Sequence, residues 1–358
     1  MSTIARMPVA IIGLGGIGRA HLQHALASEH VMPTAVADPS DAARSHAKSC
    51  GISWFADHRE LLAQVDLKAA IVATPNTTHV DISLDCVARG IGVLVEKPIA
   101  DSVTEARRLC EAAALAGVPL LVGHQRRHSA FVVRARALLA EGVVGRPVSV
   151  AAMATWLKPD PYFDIAWRRA PGGGPVLINL IHDIDLLRHL VGEIASVQAV
   201  TSNAVRGFAV EDSFAVTLRF ANGALGTMSG SDCAVAPWNY DLAAGEAAHY
   251  PRQDVDSMFI SGTEGSLSLP RLSVWRYRGA RGWHEPLTEE RSAVHRRDPY
   301  VEQLRHLRAV VEGLEAPLCS GFDGLRTLAA TRAVLLAAAS GQAVAPATWA
   351  MMFSASHT

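Results

Sequence analysis

The chain has 358 residues, of which 49% are hydrophobic, and this length exceeds what one core usually serves, so we expect two domains. Its 33 basic and 34 acidic side chains nearly cancel, which argues against a nucleic-acid partner. Five widely spaced cysteines without a CxxC pair argue against a disulfide framework and a structural zinc site. No apolar run reaches membrane-spanning length. We therefore expect a cytoplasmic protein with no membrane partner.

In the first third of the chain, short apolar runs alternate with helical segments. Their continuous apolarity is typical of strands buried on both faces of a parallel sheet. The predicted strands are residues 9–12, 34–37, 69–73, 92–95 and 120–122, and the segments between them include helices at 40–49, 79–89 and 102–116. The fold class is therefore α/β at the start, with a doubly wound, Rossmann-type dinucleotide-binding domain over residues 1–127.

The remaining chain has a different pattern. Apolar and polar residues alternate from Phe214 to Phe220, and Asn222-Gly223 supplies a hairpin turn, which indicates an antiparallel sheet covered on one face. Asp298 and Pro299 predict the start of a helix. Further strands are expected at 148–155, 196–202, 257–261, 266–269 and 273–277, and a last helix at 324–340. Residues 128–345 thus form an α+β domain for substrate binding and oligomerisation, and residues 346–358 a tail.

The first predicted strand leads into a G-x-G-x-x-G motif followed by a helix. Gly13 permits the tight turn, Gly15 lets the backbone approach a pyrophosphate, and Gly18 allows the helix to pack closely on the sheet. The start of the helix offers its N–H groups to phosphates. The predicted pyrophosphate-binding residues are Gly13, Gly15, Gly16, Ile17 and Gly18.

Asp38 ends the second predicted strand, at the separation expected for a group that binds the adenosine ribose. A carboxylate there bonds the free hydroxyls of NAD and repels the 2′-phosphate of NADP. The sequence therefore favours NAD over NADP. A turn or helix-capping role before Pro39 is an alternative that can coexist with this one.

Dinucleotides lie across the carboxyl ends of parallel strands, so the polar residues that follow those strands are candidates for the site. We expect a cofactor wall after the third strand, in which Asn76 and His79 could instead only order the next helix. The candidates are Thr74, Pro75, Asn76 and His79 after the third strand, Glu96 and Lys97 after the fourth, and His124 and Arg126 after the fifth.

Two stretches of the second half carry further candidates. Three glycines, Gly172 to Gly174, lead through an apolar stretch to Asn179 and His182. Before them, a loop-like stretch that also contains Lys158 is rich in aromatic and basic residues, which suit sugar rings or carboxylates. A well-packed loop is the alternative. The candidates there are Trp156, Tyr162, Trp167 and Arg168.

These motifs resemble the glucose–fructose oxidoreductase / inositol dehydrogenase / rhizopine-catabolism (Gfo/Idh/MocA) family of NAD(P)-dependent oxidoreductases. The resemblance runs from the glycine turn to the last helix. Its most specific parts are Glu96-Lys97-Pro98 and the glycine run that precedes His182-Asp183-Ile184-Asp185. It implies an open-faced sheet that forms homodimers or homotetramers, and hydride transfer between nicotinamide and a secondary alcohol of a sugar, inositol or sugar acid, without a metal.

By the same resemblance, Lys97 and His182 act on the substrate hydroxyl. Hydride removal requires a base for the hydroxyl proton and a donor that stabilises the developing alkoxide. His182 suits proton transfer and Lys97 polarisation and relay. Many family members carry an acid four residues before this histidine, where this chain has Ile178, and the nearest polar group is Asn179. The proton path therefore departs from that of inositol dehydrogenases.

Other interpretations stay open from sequence alone. Lys97 could be a solvated turn residue, and His182 a surface or core histidine. The fold also includes a sugar-regulon repressor that binds dinucleotide without turnover, and enzymes that use NAD for redox-neutral glycoside cleavage. An acid/base pair argues against the regulator, and a recycled cofactor without net NADH would mark the glycosidase.

Overall fold

The computed structural model describes residues 5–346, which form two units. The first unit comprises residues 5–128 and Arg297–Leu328, and the second comprises Ser129–Arg296 and residues 329–346. The predicted tail lies almost entirely outside the described residues. Within residues 5–346, none of the helices has the length and apolarity needed to cross a membrane.

The first unit contains a parallel sheet of six strands, in the order β3-β2-β1-β4-β5-β6. Every neighbouring pair is parallel. The strands are β1 (Met7–Ile12), β2 (Val31–Ala37), β3 (Ser53–Phe55), β4 (Ala69–Val72), β5 (Gly92–Val95) and β6 (Leu120–Val122). The helices between them are α1 (Gly16–Ala27), α2 (Asp41–Ser49), α3 (His58–Gln64), α4 (His79–Val87) and α5 (Val103–Ala116). The predicted Rossmann-type fold is confirmed.

Both faces of this sheet are buried, which explains the continuous apolar runs. Alternate residues of β1 enter different clusters: Val9 and Ile11 pack with Leu22 of α1 on one face, and Ala10 and Ile12 lie in the cluster of the other. Residues that alternate along a strand point to opposite faces. A strand covered by helices on both sides must therefore be apolar at every position.

The second unit contains a mixed sheet of eight strands, in the order β14-β13-β12-β11-β7-β10-β9-β8. Its neighbours are antiparallel except for the parallel pair β7/β10. The strands are β7 (Pro147–Thr155), β8 (Ile194–Ser202), β9 (Ser213–Phe220), β10 (Leu225–Ser231), β11 (Met258–Gly262), β12 (Ser266–Leu269), β13 (Ser273–Arg276) and β14 (Thr288–Arg291). The helices are α6 (Ala130–Ala140), α7 (Ile181–Leu190) and α8 (Tyr240–Ala244). The predicted, mostly antiparallel sheet is confirmed.

The alternating pattern of β9 follows from cover on a single face. Phe214 and Phe220 are 5% and 1% exposed, whereas Thr217 and Arg219, which point to the other face, are exposed. The hairpin turn contains Gly223 at φ +89°, a left-handed conformation that glycine adopts at no steric cost. The uncovered face includes Val200 and Leu225, exposed at 68% and 55%.

Two helices complete the chain, α9 (Pro299–Val311) and α10 (Gly321–Ser340). Leu304, Leu307 and Val310 of α9 lie in the same buried cluster as β1, so this helix belongs to the first unit. The sequence had predicted a single boundary at residue 127/128. The structure differs because the apolar face of α9 covers the parallel sheet, and such long-range packing leaves no local signal in the chain.

Candidate active site

The glycine turn has the geometry that a pyrophosphate requires. Gly13 lies at φ +90°, and a Cβ on Gly18 would lie 1.9 Å from the carbonyl oxygen of Gly13. Around Gly15 and Gly16, by contrast, an added Cβ would meet no atom within 4 Å. Helix α1 begins there without a side-chain cap. The turn is therefore closed towards the sheet and open beyond it, and the N–H groups of α1 point towards that open space, as phosphate binding needs.

Asp38 holds the turn that faces these glycines. Its Oδ2 accepts the N–H of Leu14 at 2.7 Å, and its Oδ1 accepts the N–H and the hydroxyl of Ser40 at 2.9 and 2.6 Å. Burial pushes the pKa of Asp38 upwards, but the hydrogen bonds from Ser40 and Leu14 outweigh it, so this pKa lies below its ordinary value. The carboxylate is thus ionised, and one of its roughly four lone-pair directions is left for a ribose hydroxyl. The turn role is present, and the ribose role stays a prediction.

His79 joins two loops of the predicted cofactor wall. It is 1% exposed, with Nδ1 at 2.9 Å from the carbonyl oxygen of Pro98 and Nε2 at 2.8 Å from that of Thr74. Burial lowers the pKa of His79, with the two carbonyls opposing that shift. Pro75 and Asn76 lie at the surface of the same loop. His79 therefore supports the predicted cofactor wall from the protein interior, and a ligand could contact its exposed neighbours Pro75 and Asn76.

Glu96 supports Lys97 from beneath. Its Oε1 accepts from Nε2 of His21 in α1 at 2.8 Å, and its Oε2 accepts from the backbone N–H of Lys97 at 3.1 Å. Burial alone would raise the pKa of Glu96. The hydrogen bond and charge of His21, together with Lys97, outweigh burial, so this pKa lies below its ordinary value. Gly123 leaves room for this carboxylate, since a Cβ there would lie 2.7 Å from Oε1. Glu96 thus fixes the start of the Lys97 loop on the helix that begins at the glycine turn.

The two candidates after β6 lie inside the first unit. His124, 1% exposed, directly precedes the short 3₁₀ turn Gln125–His128, and Arg126, 6% exposed, lies in that turn. Their role in substrate binding stays a prediction.

In the second unit, Asn179 and His182 lie on one continuous helical run. A π-helical turn, Val176–Leu180, precedes α7, which carries His182. Ile178, which stands where many family members carry an acid, lies within this π turn, whose i→i+5 hydrogen bonding differs from that of an α-helix. Asn179 accepts a hydrogen bond at Oδ1 from Nζ of Lys158 at 2.7 Å.

The aromatic and basic candidates lie in the loop before this helix. The guanidinium carbon of Arg168 is 3.9 Å from the ring centroid of Tyr162, and Nη1 of Arg168 donates to the Tyr162 carbonyl oxygen at 2.7 Å. Trp167 is 51% exposed. Trp156 contacts Tyr250 edge-on, with ring centroids 5.3 Å apart. Tyr162 and Arg168 are therefore brought together with the Lys158–Asn179 pair, whose lysine nitrogen lies 4.8 Å from the Tyr162 ring.

Sequence reasoning missed two carboxylates of this region, namely Asp232, which lies 3.4 Å from Nζ of Lys158, and Glu211. Oε1 of Glu211 accepts the N–H of Val176 at 2.9 Å, and a Cβ on Gly174 would lie 2.3 Å from the same oxygen. Burial raises the pKa of Glu211. The last glycine of the run thus makes room for the carboxylate that caps the π-helical turn. The glycine run was the signal for a close approach, but it could not name the partner.

The parallel sheet, the glycine turn and the ionised Asp38 define a dinucleotide-binding protein of the Rossmann class. Residues 7–124 match the profile of an oxidoreductase family with an NAD-binding Rossmann fold, and residues 132–268 match the GFO/IDH/MocA C-terminal domain. The chain belongs to the GFO/IDH/MocA family and is an NAD-binding oxidoreductase.

Its relatives include a 1,5-anhydro-D-fructose reductase of Ensifer adhaerens, 30% identical over 79% of this chain and 81% of the relative. A myo-inositol 2-dehydrogenase of Thermotoga maritima is 25% identical over 90% of this chain and 93% of the relative. Among solved structures, levoglucosan dehydrogenase in complex with NADH and levoglucosan has a TM-score of 0.79 at 22% identity, and the match covers 96% of this chain and all of that one.

Proposed function

We propose that this protein is an NAD-dependent dehydrogenase that transfers hydride between nicotinamide and a secondary alcohol of a sugar, inositol or sugar acid. When bound, the nicotinamide accepts or returns the hydride. The chain's own residues would handle the proton, with His182 as acid/base and Lys97 polarising the hydroxyl oxygen and relaying its proton.

One observation carries the assignment to Lys97. The backbone N–H of this lysine donates to Glu96, and Glu96 binds His21 of α1, the helix that begins at the glycine turn. The lysine is therefore anchored to the element that would hold the phosphates. A solvated turn residue has no need of a buried carboxylate and a buried histidine beneath it.

The substrate class is supported by the names of the relatives, which act on sugars and inositols. The predicted contacts stay as proposals: Asp38 with the ribose, and Asn179, Tyr162 and Arg168 with the substrate. We also propose a cytoplasmic setting and a homodimer or homotetramer formed through the uncovered sheet face, and light scattering at several concentrations would measure the subunit number.

The test is a spectrophotometric screen of sugars, inositols and sugar acids with NAD⁺ and NADP⁺ in parallel. Lys97→Ala and His182→Ala should each lower turnover by about 10²-fold or more while NADH binding, followed by its fluorescence, stays nearly intact. Lys48→Ala is a matched control because Lys48 is exposed on α2.

Near-normal turnover in either variant would remove that residue from the mechanism. Absence of any turnover by the wild-type protein that still binds NADH would favour the regulator. Product formation without net NADH would favour the redox-neutral glycosidase.

A further inference from the structure

Lysine is rare in this chain, and one of its lysines is buried. Only four of the 33 basic residues are lysines, namely Lys48, Lys68, Lys97 and Lys158. Lys48 and Lys68 are exposed, whereas Lys158 is 6% exposed. A buried cation is costly unless it is paired, and arginine is the usual choice for a buried ion pair. A buried lysine in a chain so rich in arginine therefore indicates a specific role for that side chain.

The charge of Lys158 is only partly balanced. Its Nζ lies 3.4 Å from Oδ2 of Asp232. The same carboxylate is bound more closely by Arg206, whose Nε lies 3.1 Å from Oδ1 and whose Nη2 donates to the Asp232 carbonyl oxygen at 2.7 Å. Arg206 also reaches the exposed Asp160, whose Oδ1 lies 3.5 Å from its Nη1. Lys158 therefore shares the buried Asp232 with Arg206, and Arg168 adds a third cation on Tyr162. Glu211 lies in the same region, bound through Oε1 to the N–H of Val176, and burial raises its pKa.

Lys158 also determines the orientation of Asn179. An ammonium has three donors and no acceptor, so the amide must present Oδ1 to it and turn Nδ2 away. Within residues 5–346, no acceptor takes the Nδ2 hydrogens, and the buried Nε of Arg168 likewise has no acceptor. Two sets of donors without acceptors, beside a buried cation that shares its carboxylate with an arginine, suit the recognition of an anion.

We propose that Lys158, Arg168 and Asn179 form a subsite that recognises a carboxylate of the substrate. Asn179 and Arg168 are its donors, and Lys158 is a positioning residue that fixes the amide. The inference rests on the proposed function and narrows its substrate class to hydroxy acids, such as uronic or aldonic acids, in preference to neutral polyols.

The test uses pairs of probes that differ in one carboxylate: D-glucuronate against D-glucose, D-galacturonate against D-galactose, and D-gluconate against D-glucitol. Their binding to the full chain loaded with NADH is measured by isothermal titration. One charge-assisted hydrogen bond corresponds to about a tenfold change in affinity. We therefore expect at least one acid to bind about tenfold more tightly than its neutral partner.

Two variants remove this preference by different routes. Lys158→Met leaves the amide free to turn, and Asn179→Asp places a carboxylate where the donor stood while keeping a partner for Lys158. In both, the ratio of acid to neutral affinity should fall to about twofold or less. Lys158→Arg should restore part of it, and Lys48→Met should leave it unchanged. A rescue by arginine distinguishes a positioning cation from a residue that merely fills space.

The proposal is overturned if no acid binds more tightly than its neutral partner, or if the preference survives in both variants. Failure of the proposed function gives a different result, in which NADH binds and no probe is oxidised or reduced. The ratio of affinities can still be measured in that case, so the two failures are separable.

Discussion

The two units each bury an ionic group, but with opposite balance. In the first unit, both oxygens of Glu96 are bound, one by His21 and the other by the backbone of Lys97. In the second, Lys158 shares its one carboxylate with Arg206 and donates to an amide. Among residues 5–346, the Glu96 carboxylate is thus satisfied at both oxygens, although the buried Nδ1 of its partner His21 has no hydrogen-bond partner. In the second group the cation shares its carboxylate, and donors of Arg168 and Asn179 have no acceptor within the same range.

This difference separates a structural support from a recognition site. A buried charge whose hydrogen bonds are complete holds its loops in place, and its removal leaves partners unsatisfied. A buried charge that is incompletely balanced destabilises the folded protein, and a bound anion can offset that destabilisation. The two clusters should therefore respond in opposite ways to the loss of their central residue.

The largest effect is expected at Glu96. Glu96→Ala leaves His21 and the Lys97 N–H without their acceptor inside the unit, which should cost about 3 kcal/mol of unfolding free energy. It should also lower turnover, since the Lys97 loop loses its anchor. Glu96→Gln keeps an acceptor oxygen, so its losses of unfolding free energy and turnover should lie between those of the wild-type protein and Glu96→Ala. Faster hydrogen exchange in residues 92–98 measures the effect, and wild-type exchange in Glu96→Ala would show that the carboxylate supports nothing.

The matched change in the second unit should behave differently. Lys158→Met removes a cation whose burial lowers its pKa to about 8, which means that the folded protein disfavours its charge. Asp232 keeps Arg206 as its partner, so we expect little or no loss of unfolding free energy. A loss as large as that of Glu96→Ala would make Lys158 a structural residue and end the contrast between the units.

A smaller effect is expected at Asp38, which combines both kinds of role. Asp38→Ala removes the charge that repels a 2′-phosphate as well as three hydrogen bonds of the turn. NAD⁺ should bind about tenfold more weakly, and NADP⁺ should lose less, so that discrimination relaxes. Asp41→Ala, at the exposed start of α2, is the control. Unchanged discrimination would assign the cofactor preference to another group.

The fold was predictable where one element carries its own signal. The continuous runs of β1, β4 and β5 and the alternation in β9 each follow from how many faces are buried. The strand β3 has three residues, and β14 reads Thr-Glu-Glu-Arg, so neither has an apolar pattern to detect. The packing of α9 on the first sheet joins residues nearly 300 positions apart in the chain, beyond any local pattern.

The candidate site was predictable as residue types but not as contacts. Glycine spacing and the position of Asp38 indicated the cofactor turn, and the loop containing Lys158 was recognised as polar and aromatic. The bond between Lys158 and Asn179 crosses 21 residues, and the turn that precedes α7 is π-helical rather than α-helical. Neither the pairing nor the turn has a signature in the sequence.

The smallest effect expected is a pH dependence that separates the charge of Lys158 from its shape. Burial lowers the pKa of Lys158 to about 8, with Asp232 opposing the shift and Arg206 and Arg168 adding to it; Glu211 and Tyr162 lie in the same cluster. The ammonium is present below this pH and lost above it. The affinity for the preferred acid should therefore fall a few-fold between about pH 7 and about pH 9, while that for its neutral partner stays constant.

Lys158→Arg gives the sharpest control for that dependence, because an arginine remains charged throughout the range. The affinity of Lys158→Arg for the preferred acid probe should not change with pH. The weaker affinity of Lys158→Met for the same probe should not change either. A wild-type pH dependence that persists in Lys158→Arg would have to come from another group of the cluster, with Glu211 next in line. In that case the choice of lysine over arginine at this buried position has no bearing on recognition. If acid affinity is instead independent of pH in both variants, the pH dependence of the wild-type protein comes from Lys158, which can lose its charge in this range.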